Sequence, residues 1–165
     1  MLVKDSMIII HLAKITLLEK SCEYFRDVVI SELVYKETVE AGGKEYPEAI
    51  IIKELIEKRK IKVKRINNKM LLNKVNQFNI QRGEAESVAI YWQENADLLA
   101  TDDDNVRKKK ILLKLKTIGT PSIILKLYNE KMIDKQKFNE SISKLREIGW
   151  FSNAVLDKVL MEGSK

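Results

Sequence analysis

The fold is indicated most clearly by the stretch Asp97-Leu98-Leu99-Ala100-Thr101-Asp102-Asp103-Asp104. Its short apolar run predicts a buried strand, and the strand passes directly into three carboxylates. Working outward from it, we predict similar short strands at residues 1–3, 28–30, 61–66 and 117–118. Amphipathic stretches of helical periodicity separate these strands along the chain.

Strands alternating with helices of this length predict a mostly parallel sheet, because parallel neighbours need long crossover connections. We therefore expect a three-layer α/β/α sandwich with four or five strands. Among its helices, one begins at Ser6 as N-cap, one runs from Ser31 to Gly42-Gly43, one follows Gly83, and a basic one covers residues 105–115. No internal repeat or linker interrupts the pattern, so we expect a single domain over residues 1–165.

The composition excludes several kinds of site. The chain of 165 residues has one Cys and one His, which excludes a disulfide framework, a Cys-built zinc site and a His-paired metal site. The formal net charge is +6, a modest excess that is compatible with a nucleic-acid partner. No apolar run is long enough for a membrane span or a signal peptide, and the single Cys fits a reducing compartment. We expect a cytoplasmic protein.

Carboxylates from separate segments can reach one edge of the predicted sheet. In an open parallel sheet, ligands bind beyond the carboxyl ends of the strands. Residue 5 and residues 102–103 follow strands directly. Residue 37 lies about two turns into the helix after the second strand, and residues 84–86 lie in the first turn of the helix after Gly83. The six candidate residues are Asp5, Glu37, Glu84, Glu86, Asp102 and Asp103.

Gathering these carboxylates destabilises the fold unless a cation lies between them, because like charges raise one another's pKa. Without Cys or His ligands, that cation is expected to be hard and oxygen-loving, which indicates Mg²⁺ or Mn²⁺. Such ions share their remaining positions with phosphate, and this favours phosphodiester or phosphoryl chemistry. Taken singly, each carboxylate is also explained as a helix cap, a first-turn residue or part of a solvated face.

Two further groups are open to more than one interpretation. The basic run Arg107-Lys108-Lys109-Lys110 is expected either to bind nucleic-acid phosphates or to form a solvated helix face. Trp150 and Phe151 are expected to close the core or a dimer interface.

His11 is expected to be a packed or surface helix residue.

The ordered set of short motifs resembles the PIN domain family. The motifs are Met1-Leu2-Val3-Lys4-Asp5-Ser6, the segment from Ile30 to Glu37, Gly83-Glu84-Ala85-Glu86, and Thr101-Asp102-Asp103 with Arg107. They are most similar to the archaeal and bacterial branch that includes VapC-like proteins, as is the segment from Ile118 to Leu125. The resemblance covers roughly residues 1 to 160.

The resemblance implies a metal-dependent endoribonuclease that cleaves single-stranded RNA. It makes Asp5 the first carboxylate and Glu37 the second, and it leaves two positions open. The predicted ligands of Mg²⁺ or Mn²⁺ are Asp5, Glu37, Glu86 and Asp103, with Glu84 an alternative to Glu86 and Asp102 an alternative to Asp103. Hydroxyl groups that support the cluster are expected from Ser6 and Thr101.

The resemblance also implies partners. We expect a toxin of a VapBC-type toxin–antitoxin pair, which would be a homodimer neutralised by a small antitoxin protein. The alternatives are an RNA-processing nuclease and a catalytically silent PIN fold that serves as an interaction module. A remote alternative is a haloacid dehalogenase-type phosphatase, because Asp102 and Asp104 form an Asp-x-Asp pair after a strand, although no second acidic pair follows Asp104.

Overall fold

The computed structural model describes residues 1–41 and 46–165. The strands in this part of the chain are β1 (Leu2–Lys4), β2 (Val28–Ser31), β3 (Ile61–Lys64), β4 (Leu98–Ala100) and β5 (Thr117–Ile118). They form one sheet in the order β3-β2-β1-β4-β5, and every neighbouring pair is parallel. The predicted α/β fold with a mostly parallel sheet is therefore confirmed.

Ten helices connect and follow these strands in the described ranges. They are α1 (Ser6–Lys14), α2 (Leu18–Phe25), α3 (Glu32–Tyr35), α4 (Pro47–Glu57), α5 (Lys69–Asn76), α6 (Arg82–Gln93), α7 (Asp104–Lys108), α8 (Thr120–Asn129), α9 (Lys135–Ile148) and α10 (Asn153–Gly163). Helix α3 continues directly into a π-helical segment, Lys36–Glu40. None of the helices described is both long and apolar enough to cross a membrane.

Alternate residues of the strands pack into two separate cores. Leu2 and Val28 belong to a core with α1, α2 and α8 to α10, whereas Val3 and Val29 belong to a second core with α5 and α6. Successive side chains of a strand point to opposite faces of the sheet. The sheet is thus the middle layer of the three-layer α/β/α sandwich that the sequence predicts.

The strand order places the crevice of the sheet between β1 and β4. The chain proceeds from β1 through β2 to β3 on one side and then returns to β4 on the other side of β1. The backbone N–H of Asp5, just after β1, donates to the carbonyl of Ala100 at the end of β4 over 3.1 Å. Ligand sites of open parallel sheets lie at such switch points, and both predicted strand-end acidic segments are here.

One local prediction needs correction, and one falls outside the described residues. The N-cap of α1 is Asp5 rather than Ser6, because the Asp5 side chain accepts the N–H of Ile8 while Ser6 is already helical. The predicted helix end at Gly42-Gly43 lies outside the described residues.

The basic helix predicted over residues 105–115 is wrong. Helix α7 ends at Lys108, and turns follow it to Lys114, whose φ of 53° is in the left-handed region. The indole N–H of Trp92 donates to the carbonyl of Leu113 over 3.1 Å and holds this turn against α6. In these turns Leu113 is buried, while Ile111 and Leu112 are 86% and 67% exposed.

Candidate active site

Asp5 is a buried carboxylate with one oxygen left without a partner. It follows β1 and is 1% exposed. Its Oδ1 accepts the N–H of Ile8 over 2.9 Å and so caps α1. Its Oδ2 is the one buried side-chain oxygen or nitrogen in the described ranges that has no hydrogen-bond partner. A buried polar atom of this kind is costly in free energy, and such atoms are rare in folded proteins.

The surroundings of Asp5 raise the pKa of its carboxyl group. The pKa of the Asp5 carboxyl is raised from 3.8 to about 8. Burial is the main cause, and the charges of Asp102 and Glu84 contribute to the rise. The Thr101 hydroxyl, which is near Asp5 but makes no hydrogen bond to Oδ2, and the Ile8 N–H lower the pKa against this larger effect. Asp5 is therefore mostly protonated at neutral pH unless another cation takes the place of the proton.

Asp102 is buried and held on both of its oxygens. Its Oδ1 accepts the backbone N–H of Thr120 over 2.8 Å, and its Oδ2 accepts the Thr120 hydroxyl. The Nδ1 of His11 lies 2.8 Å from Oδ2. The backbone carbonyl of Asp102 also accepts the indole N–H of Trp150 over 3.1 Å. These contacts fix the Asp102 carboxylate beside Asp5.

Asp103 occupies the start of α7. Its Oδ1 accepts the N–H of Val106 over 2.8 Å, which makes it the N-cap of that helix. Its own N–H donates to the Thr101 hydroxyl oxygen over 3.1 Å. The side chain is partly exposed.

Glu37 projects from the π-helical segment toward α1 and α6. The Ser6 hydroxyl donates to Glu37 Oε2 over 2.6 Å. The predicted supporting hydroxyls, Ser6 and Thr101, therefore contact Glu37 and Asp103 respectively. Gly83 is next to Glu37, and a Cβ at position 83 would lie 2.4 Å from Glu37 Oε2.

The two candidates on α6 lie in different places. Burial raises the pKa of Glu84, and the charges of Glu37 and Asp103 raise it further. Glu86 instead accepts the backbone N–H of Leu33 over 3.0 Å, at the first turn of α3. Residues two apart on a helix point about 200° apart, so only one of the pair can face the crevice. The structure brings Glu84, not Glu86, to the other carboxylates.

The candidate ligand atoms are all carboxylate oxygens, which are the type of ligand that a hard divalent cation prefers. Asp5, Glu37, Glu84 and Asp103 supply only oxygen atoms, and the unpartnered Asp5 Oδ2 is available to a cation. Within residues 1–41 and 46–165, no group of three His, Cys, Asp or Glu side chains already stands close enough together to hold an ion. In the structure, Glu37 is drawn toward Ser6, and its Oε1 lies 3.9 Å from the Arg82 guanidinium.

The basic run divides into two parts. Arg107 and Lys108 are exposed and line a cleft beside the aspartates. The ammonium group of Lys109 donates to Asn105 Oδ1 over 2.5 Å and to the carbonyl of Phe78, so it stabilises the turn after α7. Lys110 is exposed but does not line the cleft.

Sequence reasoning missed three residues that support the site: His11, Thr120 and Trp150. Thr120 could have been found, because it follows β5 and so lies at the same edge of the sheet as Asp102. His11 lies in the middle of α1, and Trp150 lies between two helices far along the chain. Neither position carries a local signal of contact with Asp102.

Comparison with known proteins gives one match, which covers nearly the whole chain. A family model described as PIN domain matches residues 1–164. No curated protein and no solved structure matches the chain.

Proposed function

The chain belongs to the PIN domain family, whose members are in general nucleases, and from this premise we propose that it is an Mg²⁺- or Mn²⁺-dependent endoribonuclease that cleaves single-stranded RNA. The observation that carries the proposal is Asp5 Oδ2, a buried oxygen without a partner at the switch point of the sheet. A divalent cation there would supply the missing partner and replace the proton that burial holds on Asp5.

We assign the cation to Asp5, Glu37, Glu84 and Asp103. This set replaces Glu86 with Glu84, because Glu86 accepts the backbone N–H of Leu33. Asp102 is not assigned as a ligand, because both of its carboxylate oxygens already have hydrogen-bond partners. It lies beside Asp5 and supports the ligands. When bound, Mg²⁺ or Mn²⁺ lowers the pKa of water and offsets negative charge on phosphate oxygens.

The protein side chains would orient the reactants. Glu84 lies among the other carboxylates, and its second carboxylate oxygen would orient the attacking water. Ser6 holds Glu37 by a hydrogen bond of 2.6 Å and limits its movement. Arg107 and Lys108 are placed to contact phosphates of the strand, because both are exposed beside Asp103.

A toxin of a VapBC-type toxin–antitoxin pair is the role that we propose within this activity. Large apolar side chains are exposed on α5 and on the turns after α7: Met70 is 77% exposed, Ile111 86% and Leu112 67%. These two segments are neighbours, because Leu71 and Leu112 line the same cleft. An exposed apolar patch of this kind is typical of a surface that binds a protein partner. An antitoxin chain or a second copy of the protein would bury it, and co-expression with the partner would separate this role from RNA processing.

Cleavage of a labelled single-stranded RNA tests the proposed activity. The purified protein is assayed with Mn²⁺, with EDTA, and as the Asp5→Asn variant. The matched control is Asp157→Asn, which changes an exposed aspartate on α10 that pairs with Arg146. We expect cleavage by the wild type and the control in Mn²⁺, and none in EDTA or with Asp5→Asn. Equal cleavage in Mn²⁺ and EDTA would overturn metal dependence, and no cleavage of varied RNAs would overturn the ribonuclease.

A further inference from the structure

An open cleft adjoins the carboxylates on the side away from Glu37. It has a volume of about 800 Å³ and lies between α7 and the turn that joins α9 to α10. One wall carries Asp103, Arg107 and Lys108, and the other carries Trp150 and Phe151. The cleft is therefore continuous with the candidate active site and differs from it in character, because it combines cations with aromatic rings.

Trp150 is exposed yet held in a fixed orientation. Its side chain is 51% exposed, which is unusual for so large an apolar group. Its indole N–H donates to the carbonyl of Asp102 over 3.1 Å. Its ring centroid is 5.9 Å from that of His11, and the Phe151 ring packs edge-on to the same imidazole at 5.3 Å. The ring is thus positioned before any ligand arrives.

The same contacts connect Trp150 to the proposed chemistry. His11 and the backbone of Asp102 are the groups that hold Trp150, and both also belong to the network around the carboxylates. A planar group stacked on Trp150 would therefore lie at a set position relative to Asp103. Arg107 and Lys108 face it across the cleft and suit the phosphates on either side of that group.

We propose that this cleft binds one unpaired nucleotide next to the scissile phosphate, with its base stacked on Trp150 and its phosphate contacted by Arg107 and Lys108. The proposal rests on the proposed nuclease function and names the feature of the substrate that the site recognises. Every base has a flat π-face, so stacking tolerates any sequence but requires a base that is not already stacked in a duplex. The preference for single strands would then come from Trp150.

The intrinsic fluorescence of Trp150 tests the proposal without cleavage. The chain has two tryptophans, and a Trp92→Phe background leaves Trp150 as the single reporter. The probes are an unpaired 12-nucleotide RNA, the same RNA in a blunt duplex, and an abasic strand of equal length, each titrated in EDTA. We expect the emission to change with the unpaired strand and not with the abasic strand or the duplex. An equal response to all three, or no response while a labelled strand binds, would overturn the stacking contact.

Binding by variants gives the second readout. Trp150→Ala is expected to weaken binding of the unpaired strand about 5- to 150-fold. Trp150→Phe keeps a ring but lacks the N–H, so recovery of most of the affinity would separate stacking from the hydrogen bond to Asp102. Met161→Ala removes another exposed apolar side chain and is expected to change nothing. Wild-type affinity in Trp150→Ala would overturn the subsite.

The outcomes for the subsite and for the nuclease are separable. If the wild type cleaves RNA and Trp150→Ala binds and cleaves equally well, the subsite is wrong and the nuclease stands. If the protein binds unpaired strands through Trp150 but does not cleave them in Mn²⁺, the nuclease is wrong and the subsite stands. If a protein partner, and not RNA, changes Trp150 emission, the cleft is a protein interface and the subsite is overturned.

Discussion

Gly83 lies so close to Glu37 that a Cβ at position 83 would stand 2.4 Å from Glu37 Oε2. The same Cβ would lie 3.0 Å from Ser6 Oγ, the hydroxyl that holds Glu37. No left-handed φ requires a glycine at this position, since Gly83 is an ordinary residue of α6. The close approach of the Glu37 carboxylate is what requires it.

Gly83→Ala is therefore expected to lower activity without lowering stability. Alanine is favoured over glycine in a helix interior by about 1 kcal/mol, and Gly83 is in the first turn of α6, where the gain is smaller. The new methyl group pushes the flexible end of Glu37 aside. We expect at least a tenfold loss in RNA cleavage and an unchanged or raised melting temperature. In a Glu37→Gln background, Gly83→Ala should cost little further activity; a full additional tenfold loss there would contradict the role given to Glu37.

Substitution of Glu84 is expected to lower activity, whereas substitution of Glu86 is expected to lower stability. Glu84→Ala removes a carboxylate from the crevice, and we expect at least a hundredfold loss of cleavage in Mn²⁺. Glu86→Ala removes the acceptor for the Leu33 N–H, so we expect a loss of about 1 kcal/mol in the free energy of unfolding and near-normal cleavage. Denaturant unfolding and cleavage rates measure the two effects. The reverse pattern would restore Glu86 as the ligand.

The stability of the metal-free protein is expected to depend on the pH through Asp5. In the unfolded chain Asp5 ionises near its ordinary pKa of 3.8, whereas the folded state keeps the proton up to about 8. The folded state therefore binds more protons in this window, and the contribution of Asp5 to stability is lost as the pH rises from about 4 to about 8. Melting temperatures in EDTA should fall less steeply with pH in Asp5→Asn than in the wild type. Parallel curves would contradict the raised pKa.

Removal of the proposed phosphate contacts is expected to reduce the salt dependence of RNA binding. Each contact with a single strand contributes about −0.7 to the slope of log K against log salt. Arg107→Ala and Lys108→Ala should each make the slope less steep by roughly that amount. Lys110→Ala, an exposed lysine outside the cleft, is the control. An equal change in all three slopes would show a diffuse basic surface instead of a phosphate site.

Much of the fold could be predicted, because strand-forming runs and helical periodicity are local features of the sequence. The strand at Leu98–Ala100 and the parallel sheet follow from such features, and the family match agrees with the resemblance of the motifs. The extent of α7 could not be predicted locally. The turns that follow α7 contact Trp92, a residue of α6 whose indole N–H donates to the carbonyl of Leu113, and this contact joins segments distant in sequence.

Topology alone predicted the part of the candidate site at the ends of strands, and the family resemblance added Glu37 and the choice between Glu84 and Glu86. Asp5 and Asp102 follow strands, so their edge of the sheet is set by topology. The choice between Glu84 and Glu86 depends on the rotation of α6 about its axis, which is set by packing against the sheet. The contacts of His11 and Trp150 with Asp102 join residues distant in sequence, and no local pattern specifies them.

Asp5 and its neighbours are proposed to hold a divalent cation, and Mn²⁺ binding can be measured by electron paramagnetic resonance. Titration of the wild type and of Asp5→Asn at pH 8 would count the bound ions without reference to any RNA. We predict a saturable Mn²⁺ site in the wild type that is lost in Asp5→Asn and retained in Asp157→Asn. Equal Mn²⁺ binding by the wild type and Asp5→Asn, or none by the wild type, would contradict the account.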